Sequence, residues 1–270
     1  MAQEMNIIFL SFYYPPDLSA GSFRAKALTG SISKKICNND RIHVITTFPN
    51  RYSNYNIKKQ DNILSYEEKW NIIIHRFTIA NLEAGLIGQI ISFCVYAYKA
   101  FICSVRLKPD FIIATTGRFM TAFLSYLVSL KTKSFFFIDL RDIFSETISD
   151  LLAKKNKLIA HLVGSIFFFI EKNILSRAVG VNVVSQGFLD YYSNNGLDVS
   201  NWTSFSNGID EEFLNLPSNY EKDISAIKTV VYAGNIGHGQ ALDRILPFVA
   251  AELKERFNFE EEIQLIKNNI

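Results

Sequence analysis

The stretch FFFIDLRDIFSE, residues 135–146, joins an apolar strand to a dense group of polar side chains. Its first part, Phe135–Ile138, is apolar at every position, which is typical of a central parallel strand buried on both faces. Three carboxylates and an arginine follow, among them Arg141, Asp142 and Glu146. Ligands bind outside the carboxyl ends of the strands in open α/β sheets, so this pattern indicates a functional site. A solvated loop with an Arg141–Asp142 ion pair is the simpler alternative.

Outward from this stretch, strand-like and helix-like segments alternate. The other predicted strands are Asn6–Ser11, Arg41–Thr47, Ile72–Phe77, Phe111–Ala114, Gly180–Ser185 and Trp202–Ser206. The predicted helices cover about Phe23–Lys35, Leu82–Arg106, 119–131 and 156–177. A polar, lysine-rich segment before Ile72 is predicted to be a loop. This rhythm predicts the α/β class, with a doubly wound, mostly parallel, Rossmann-like sheet.

A change of character near residue 215 divides the chain into a first domain, a linker and the start of a second domain. The segment 215–228 is polar and is interpreted as a linker after a first domain of residues 1–214. Thr229–Ala233 then predicts a strand, a glycine-rich turn follows, and Ala241–Phe257 predicts a helix. Only 42 residues follow the linker, against the ~100 that a domain usually needs. Residues 229–270 therefore predict a truncated second Rossmann-like domain.

Charge and cysteine content limit the possible partners and compartments. The net charge is +2, with +5 in residues 1–150 and −3 in residues 151–270. An excess this small does not predict a nucleic-acid-binding protein. The three cysteines are odd in number and lack metal-ligand spacing, which favours packed thiols in a reducing cytoplasm. No basic segment precedes the apolar run Ile7–Phe12, so no signal peptide is predicted.

Three uncharged runs bear on membrane contact: Gly85–Tyr98, Phe119–Leu130 and Leu158–Ile170. Each is shorter than the roughly 18–20 residues of a spanning helix. Lysines and arginines flank all three, a pattern typical of helices that lie in the interface of an anionic leaflet. Ordinary sheet-covering helices with basic ends are the alternative.

Four further stretches, taken in order, resemble the GT-B glycosyltransferases of family 4, and more narrowly the bacterial O-antigen and capsule transferases of the fucosamine-type branch. They are FYYPPDLSAGSFR (12–24), IDLRDIFSE (138–146), SNGID (206–210) and YAGNIGHGQALD (232–243). In the second stretch Phe144 and Ser145 stand where the family has tryptophan and proline. The likeness extends over about 240 residues.

The resemblance implies an activity and a location. The enzyme would transfer a sugar from a nucleotide-diphosphate sugar to a polyprenyl-diphosphate-linked saccharide during surface polysaccharide biosynthesis. The first domain would hold the acceptor, and neither a metal nor another cofactor would take part. Such a protein would be cytoplasmic and peripheral, on the inner face of the cytoplasmic membrane.

The resemblance also implies site residues. The cleft for the donor diphosphate would be lined by Gly21, Ser22, Gly234, Asn235, Gly237 and His238. Helix N-termini and close backbone amides suit that task. Asp142 and Glu146 are the catalytic candidates, since either would orient an acceptor hydroxyl and both share a face if a helix begins there. Thr116 and Arg141 would lie on the acceptor side.

One departure from the family lies near the C-terminus. Glu252 and Glu260 have the eight-residue spacing of the family's donor-binding glutamates but lack the surrounding motif, and a solvated helix face is favoured. The chain is therefore predicted to catalyse little by itself. A non-catalytic acceptor- and membrane-binding subunit of a split glycosyltransferase and a nucleotide-sugar 2-epimerase remain alternatives. His43, His75 and His161 are predicted to be core residues.

Overall fold

The computed structural model describes residues 4–49, 63–67, 71–79, 85–116, 120–153, 156–209 and 242–257. The chain divides into two compact units, residues 1–210 and residues 211–270. The second unit is described only over one helix, Leu242–Phe257. The predicted linker and the strand Thr229–Ala233 lie outside the described residues, so the domain scheme remains a prediction.

The first unit alternates strands and helices. The strands are β1 Asn6–Leu10, β2 Arg41–Thr47, β3 Ile63–Glu67, β4 Ile72–Phe77, β5 Phe111–Thr115, β6 Phe135–Leu140, β7 Gly180–Val183 and β8 Thr203–Ser204. The helices are α1 Ala20–Ser33, α2 Gly85–Leu107, α3 Met120–Thr132, α4 Phe144–Ala153, α5 Lys157–Leu175 and α6 Gln186–Asn194, and the second unit adds α7 Leu242–Phe257.

The eight strands of the described residues form one sheet, in the order β3-β4-β2-β1-β5-β6-β7-β8. Every neighbouring pair is parallel except β3 and β4, which are antiparallel. Outward from β5 the strands are β6, β7 and β8, and outward from β1 they are β2, β4 and β3, so only β3 and β4 depart from chain order. The topological switch point lies between β1 and β5. The predicted doubly wound, mostly parallel α/β class is confirmed.

Three elements differ from the sequence predictions. β3 lies in the segment that was predicted to be a loop, and it exists because it pairs along β4 from Ile63↔Arg76 to Glu67↔Ile72. α4 and α6 were not predicted as separate helices. Asn156 separates α4 from α5, since its side chain accepts hydrogen bonds from the N–H groups of Leu158 and Ile159 and caps α5.

Two hydrophobic cores cover the two faces of the sheet. On β1, Ile8 and Leu10 belong to one core and Ile7 and Phe9 to the other, because successive strand residues point to opposite faces. From its second residue onward, β6 also alternates between the two cores. Its first residue, Phe135, is 66% exposed, so the prediction of a strand buried at every position is wrong there.

Two described segments are long and apolar enough to cross a membrane by length and composition alone. They are Ile90–Leu107 and Lys157–Leu175, and 28% of each is buried. Each segment continues past the charged residue that ends the corresponding uncharged run. That residue is Lys99 in the first segment and Glu171 in the second. The core helix of a soluble protein passes the same test.

Candidate functional site

A buried ion pair joins the carboxyl end of β6 to the first turns of α1. Asp139 is 1% exposed and accepts two hydrogen bonds from Arg24, at 2.8 Å from Nε and 2.7 Å from Nη2. Thr115 Oγ1 at the end of β5 donates to the same carboxylate over 3.1 Å, and Asn182 Nδ2 on β7 donates over 2.7 Å. Asp139 therefore ties together three neighbouring strand ends and is a structural residue.

The guanidinium of Arg24 also holds the segment that follows β8. It donates to the carbonyl oxygens of Phe205 and Ser206 and to Asn207 Oδ1, each over 3.2 Å. The Phe205 N–H donates a further hydrogen bond to Asn182 Oδ1 over 3.1 Å. The start of the SNGID stretch is thus fixed to the strand ends through side chains of α1 and β7.

Thr116 and Arg141 lie side by side at the ends of β5 and β6. The Thr116 N–H donates to the Asp139 carbonyl over 2.9 Å, and the Arg141 N–H donates to Thr116 Oγ1 over 2.9 Å. Thr116 is 1% exposed. These bonds extend the pairing of β5 and β6 beyond the last strand residue and fix the backbone from which the Arg141 side chain projects.

The Arg141 guanidinium reaches the N-terminal end of α1. A Cβ atom built on Gly21 would lie 3.0 Å from Arg141 Nη1, so a larger residue here would push the end of the arginine side chain away by a few tenths of an ångström. Arg141 Nε is buried and has no hydrogen-bond partner in the part of the chain that the structure describes. The helix N-terminus and the guanidinium are both positive, so together they favour an anion. We call Gly21 and Arg141 the anion site.

Ser22 is placed differently from the predicted phosphate ligand. It is fully buried, and its N–H donates to Ser19 Oγ over 3.2 Å in the cap of α1. Gly21, in contrast, is half-buried. Of the predicted pair, Gly21 is therefore the more exposed residue.

The electrostatics of the loop after β6 follow from partial burial. Burial lowers the pKa of Arg141 from its ordinary value, and the carboxylates of Asp139 and Asp142 act in the opposite direction. Asp142 keeps an exposed surface, yet the protein around it removes part of its hydration and raises the pKa of its carboxyl, an effect that Arg141 opposes. Burial removes part of the hydration of the Arg141 guanidinium, and a bound anion would offset that loss.

The two predicted catalytic carboxylates do not share a helical face. α4 begins at Phe144, so Asp142 precedes the helix and only Glu146 belongs to it. Glu146 instead lines a shallow cavity of about 250 Å³ between α4, α5 and α6, with His161, Phe168 and Tyr191 among its neighbours. The predicted second-unit ligands Gly234, Asn235, Gly237 and His238 lie outside the described residues.

The histidines separate into a packed pair and an exposed residue. On β2 and β4, His43 Nδ1 and His75 Nε2 are 3.0 Å apart, and Cys103 Sγ is 3.7 Å from His75 Nδ1. Burial lowers the pKa of His43, and burial together with His43 lowers that of His75 to about 4. His161 is exposed, so its predicted place in the core is wrong.

The His75 shift predicts acid sensitivity. An unfolded histidine titrates near pH 6.5, so between about pH 6.5 and pH 4 the unfolded chain binds more protons than the folded one. The free energy of unfolding should therefore fall by about 1–3 kcal/mol across this window as the pH drops. Urea unfolding of His75→Phe should show a smaller fall, the residual part coming from His43. His161→Phe serves as the exposed control, and an equal fall in both variants would refute the assignment.

Sequence reasoning missed three residues of these sites. Arg24 appeared within a quoted motif but without a role, although an arginine in the first turns of a helix after a polar loop was a usable signal. His161 and Tyr191 enter the cavity from helices distant in sequence. No local pattern marks either of them.

No protein-family model matches this sequence, and no curated protein matches it. Solved structures do match. Sucrose-phosphate synthase from Thermosynechococcus elongatus aligns with a TM-score of 0.52 and 10% identity, covering 80% of this chain and 54% of that one. HepE from Anabaena in complex with UDP and glucose aligns with a TM-score of 0.42 and 17% identity, covering 77% and 45%. The lipopolysaccharide outer core galactosyltransferase WaaB gives 0.38 and 11%, covering 74% and 44%.

At these identities the likeness shows the fold. The match to sucrose-phosphate synthase agrees with the Rossmann-like architecture that the strand order establishes. The chain spans about half the length of the solved structures it resembles.

Proposed function

We propose that this chain is the acceptor-side half of a glycosyltransferase that uses a nucleotide-diphosphate sugar. The observation that carries the proposal is the anion site, where a guanidinium approaches a helix N-terminus and its Nε finds no partner among the described residues. A departing diphosphate needs positive groups that are already in place, and this arrangement supplies them. The fold shared with sucrose-phosphate synthase supports the same class.

No metal would take part, and Asp142 or Glu146 would orient the acceptor hydroxyl. We further propose that the acceptor is a polyprenyl-diphosphate-linked saccharide of O-antigen or capsule biosynthesis. The raised pKa of Asp142 brings it closer to the range in which a carboxylate accepts a proton at neutral pH.

A membrane-anchored acceptor requires a protein that lies on the membrane, and α5 offers such a surface. Its exposed side chains Leu158, Leu162, Ile166 and Phe169 fall on one face and form what we call the apolar stripe. The sequence places Lys154, Lys155 and Lys157 at one end of the helix. Apolar side chains edged by lysines fit the interface of an anionic leaflet, so we propose a peripheral position on the cytoplasmic side.

Pyrophosphate binding tests the anion site. Arg141→Met should weaken the binding of inorganic pyrophosphate about tenfold or more, since it removes charge-assisted hydrogen bonds. Gly21→Ala should weaken binding several-fold, because its methyl group displaces the guanidinium. Isothermal titration gives the affinities, and the amide resonance of Gly21 in the ¹⁵N-labelled protein reports where pyrophosphate binds.

Two matched controls accompany these variants. Arg106→Met removes an exposed arginine at the end of α2, and Gly30→Ala adds a methyl group to α1 where nothing lies within 4 Å. Both should bind pyrophosphate as the unaltered protein does. The proposal fails if Arg141→Met and Arg106→Met bind equally well, or if the Gly21 resonance does not move.

A further inference from the structure

The cavity between α4, α5 and α6 has a rigid buried base. Ser145 is buried and donates to the carboxylate of Glu171, which is fully buried, over 2.7 Å. The Phe144 N–H adds a bond of 3.4 Å to the same carboxylate. A Cβ atom on Gly164 would lie 3.1 Å from Ser149 Cβ, so the glycine allows α4 to approach α5 closely. These contacts fix the helix turn that presents Glu146.

The lining of the α4–α6 cavity is rich in hydrogen-bond acceptors. Ser149 already donates its hydroxyl proton to the Ala160 carbonyl over 3.4 Å, and Ser165 donates to the His161 carbonyl over 2.8 Å. Both oxygens are left with lone pairs, and the Glu146 carboxylate adds two more acceptors. A ligand with O–H or N–H donors fits these acceptors, whereas a phosphate group would be repelled by the Glu146 carboxylate.

Two aromatic rings complete the lining. Phe168 and Tyr191 meet edge to face with their centroids 6.4 Å apart. The rings supply apolar surface next to the acceptor groups, and small-molecule sites typically combine such surface with a few fixed polar groups. A pyranose ring presents hydroxyl donors around its edge and C–H groups on its faces, so its chemistry matches both parts.

The cavity borders the apolar stripe along α5. Successive helical residues are about 100° apart, which places the stripe in one sector of the helix and the buried residues Ala160, Gly164 and Glu171 on the far side. His161, Ser165 and Phe168 fall in the sector between them. A lipid lying along the stripe would therefore carry its polar head directly past the cavity.

We infer that the α4–α6 cavity binds a neutral pyranose unit of the lipid-anchored saccharide, with Glu146 and Tyr191 as its main polar contacts. The inference rests on the proposed function and assigns it an acceptor subsite separate from the anion site. In this arrangement Glu146 binds the sugar directly. Asp142, in the loop after β6, is then the carboxylate that would orient the acceptor hydroxyl.

Saturation-transfer NMR on the full 270-residue chain tests this subsite. The probes are methyl β-glucopyranoside, methyl β-galactopyranoside and methyl β-N-acetylglucosaminide at millimolar concentration, with inorganic phosphate as competitor. At least one glycoside should receive saturation on its ring protons. Glu146→Gln and Tyr191→Phe should each raise its Kd about tenfold, since the first replaces a charged acceptor with a neutral amide and the second removes the phenolic hydroxyl. Phosphate should not compete.

The control is Asp190→Asn, which changes an exposed carboxylate adjacent to Tyr191 in the sequence and should leave glycoside binding unchanged. Both cavity variants keep the size of the original side chain, and their circular dichroism should match that of the unaltered protein. Absence of saturation, equal signals in Glu146→Gln and Asp190→Asn, or displacement by phosphate would each overturn the inference. Pyrophosphate titration of the same samples tests the proposed function separately, so the two failures are distinguishable.

Discussion

Replacing Asp139 by alanine should lower the free energy of unfolding by about 3–5 kcal/mol, which is the usual cost of breaking a buried ion pair. The side chain of Arg24 is 8% exposed, so its guanidinium would remain in the protein without its carboxylate. Thr115 and Asn182 would lose their shared acceptor at the same time. Urea unfolding followed by circular dichroism measures the loss.

A double-mutant cycle separates the ion pair from the rest of this effect. Arg24→Met should be strongly destabilising as well, because it leaves the Asp139 carboxylate buried and unpaired. The double variant Asp139→Ala with Arg24→Met should lose clearly less than the sum of the two single losses, since neither charge is then stranded. Asp190→Ala, at an exposed position, should stay within about 0.5 kcal/mol of the unaltered protein. Additive losses would show that the two residues act independently.

The double substitution of Leu162→Glu with Phe169→Glu should reduce binding to anionic vesicles by about 100-fold or more. The two side chains are 63% and 67% exposed, so most of their apolar surface is free to enter a bilayer. Burying a leucine or phenylalanine side chain contributes about 1.5–3 kcal/mol each, and every 1.4 kcal/mol is about tenfold in affinity. The added carboxylates also repel an anionic surface.

Sedimentation with vesicles of phosphatidylcholine and phosphatidylglycerol measures this partition, and pure phosphatidylcholine should bind the unaltered protein more weakly. The matched control is Phe135→Glu with Phe205→Glu, which alters two side chains of similar exposure, 66% and 67%, outside the three uncharged runs. If both double variants partition equally, the apolar stripe is not the contact surface. Strong vesicle binding would also argue against the 2-epimerase alternative, whose product is free in solution.

Much of the fold could be predicted because parallel strands buried on both faces leave continuous apolar runs in the sequence. Arg41–Thr47 and Ile72–Phe77 were predicted with the bounds that β2 and β4 have. The same reasoning missed β3, since an edge strand is defined by its partner and its own residues carry no such run. It also overestimated the burial of Phe135, which lies at the open end of its strand.

The features of the site also differ in whether local sequence or tertiary contacts define them. Local sequence preferences predict that polar residues gather after β6 and that a turn containing Gly21 leads into a helix, although α1 already begins at Ala20. Tertiary contacts were needed to show that Arg24 neutralises Asp139 across 115 positions, that Arg141 reaches Gly21, and that Glu146 belongs to the α4–α6 cavity. These residues meet because crossover connections place their strands side by side. The periodicity of a single segment does not predict the order of strands in a sheet.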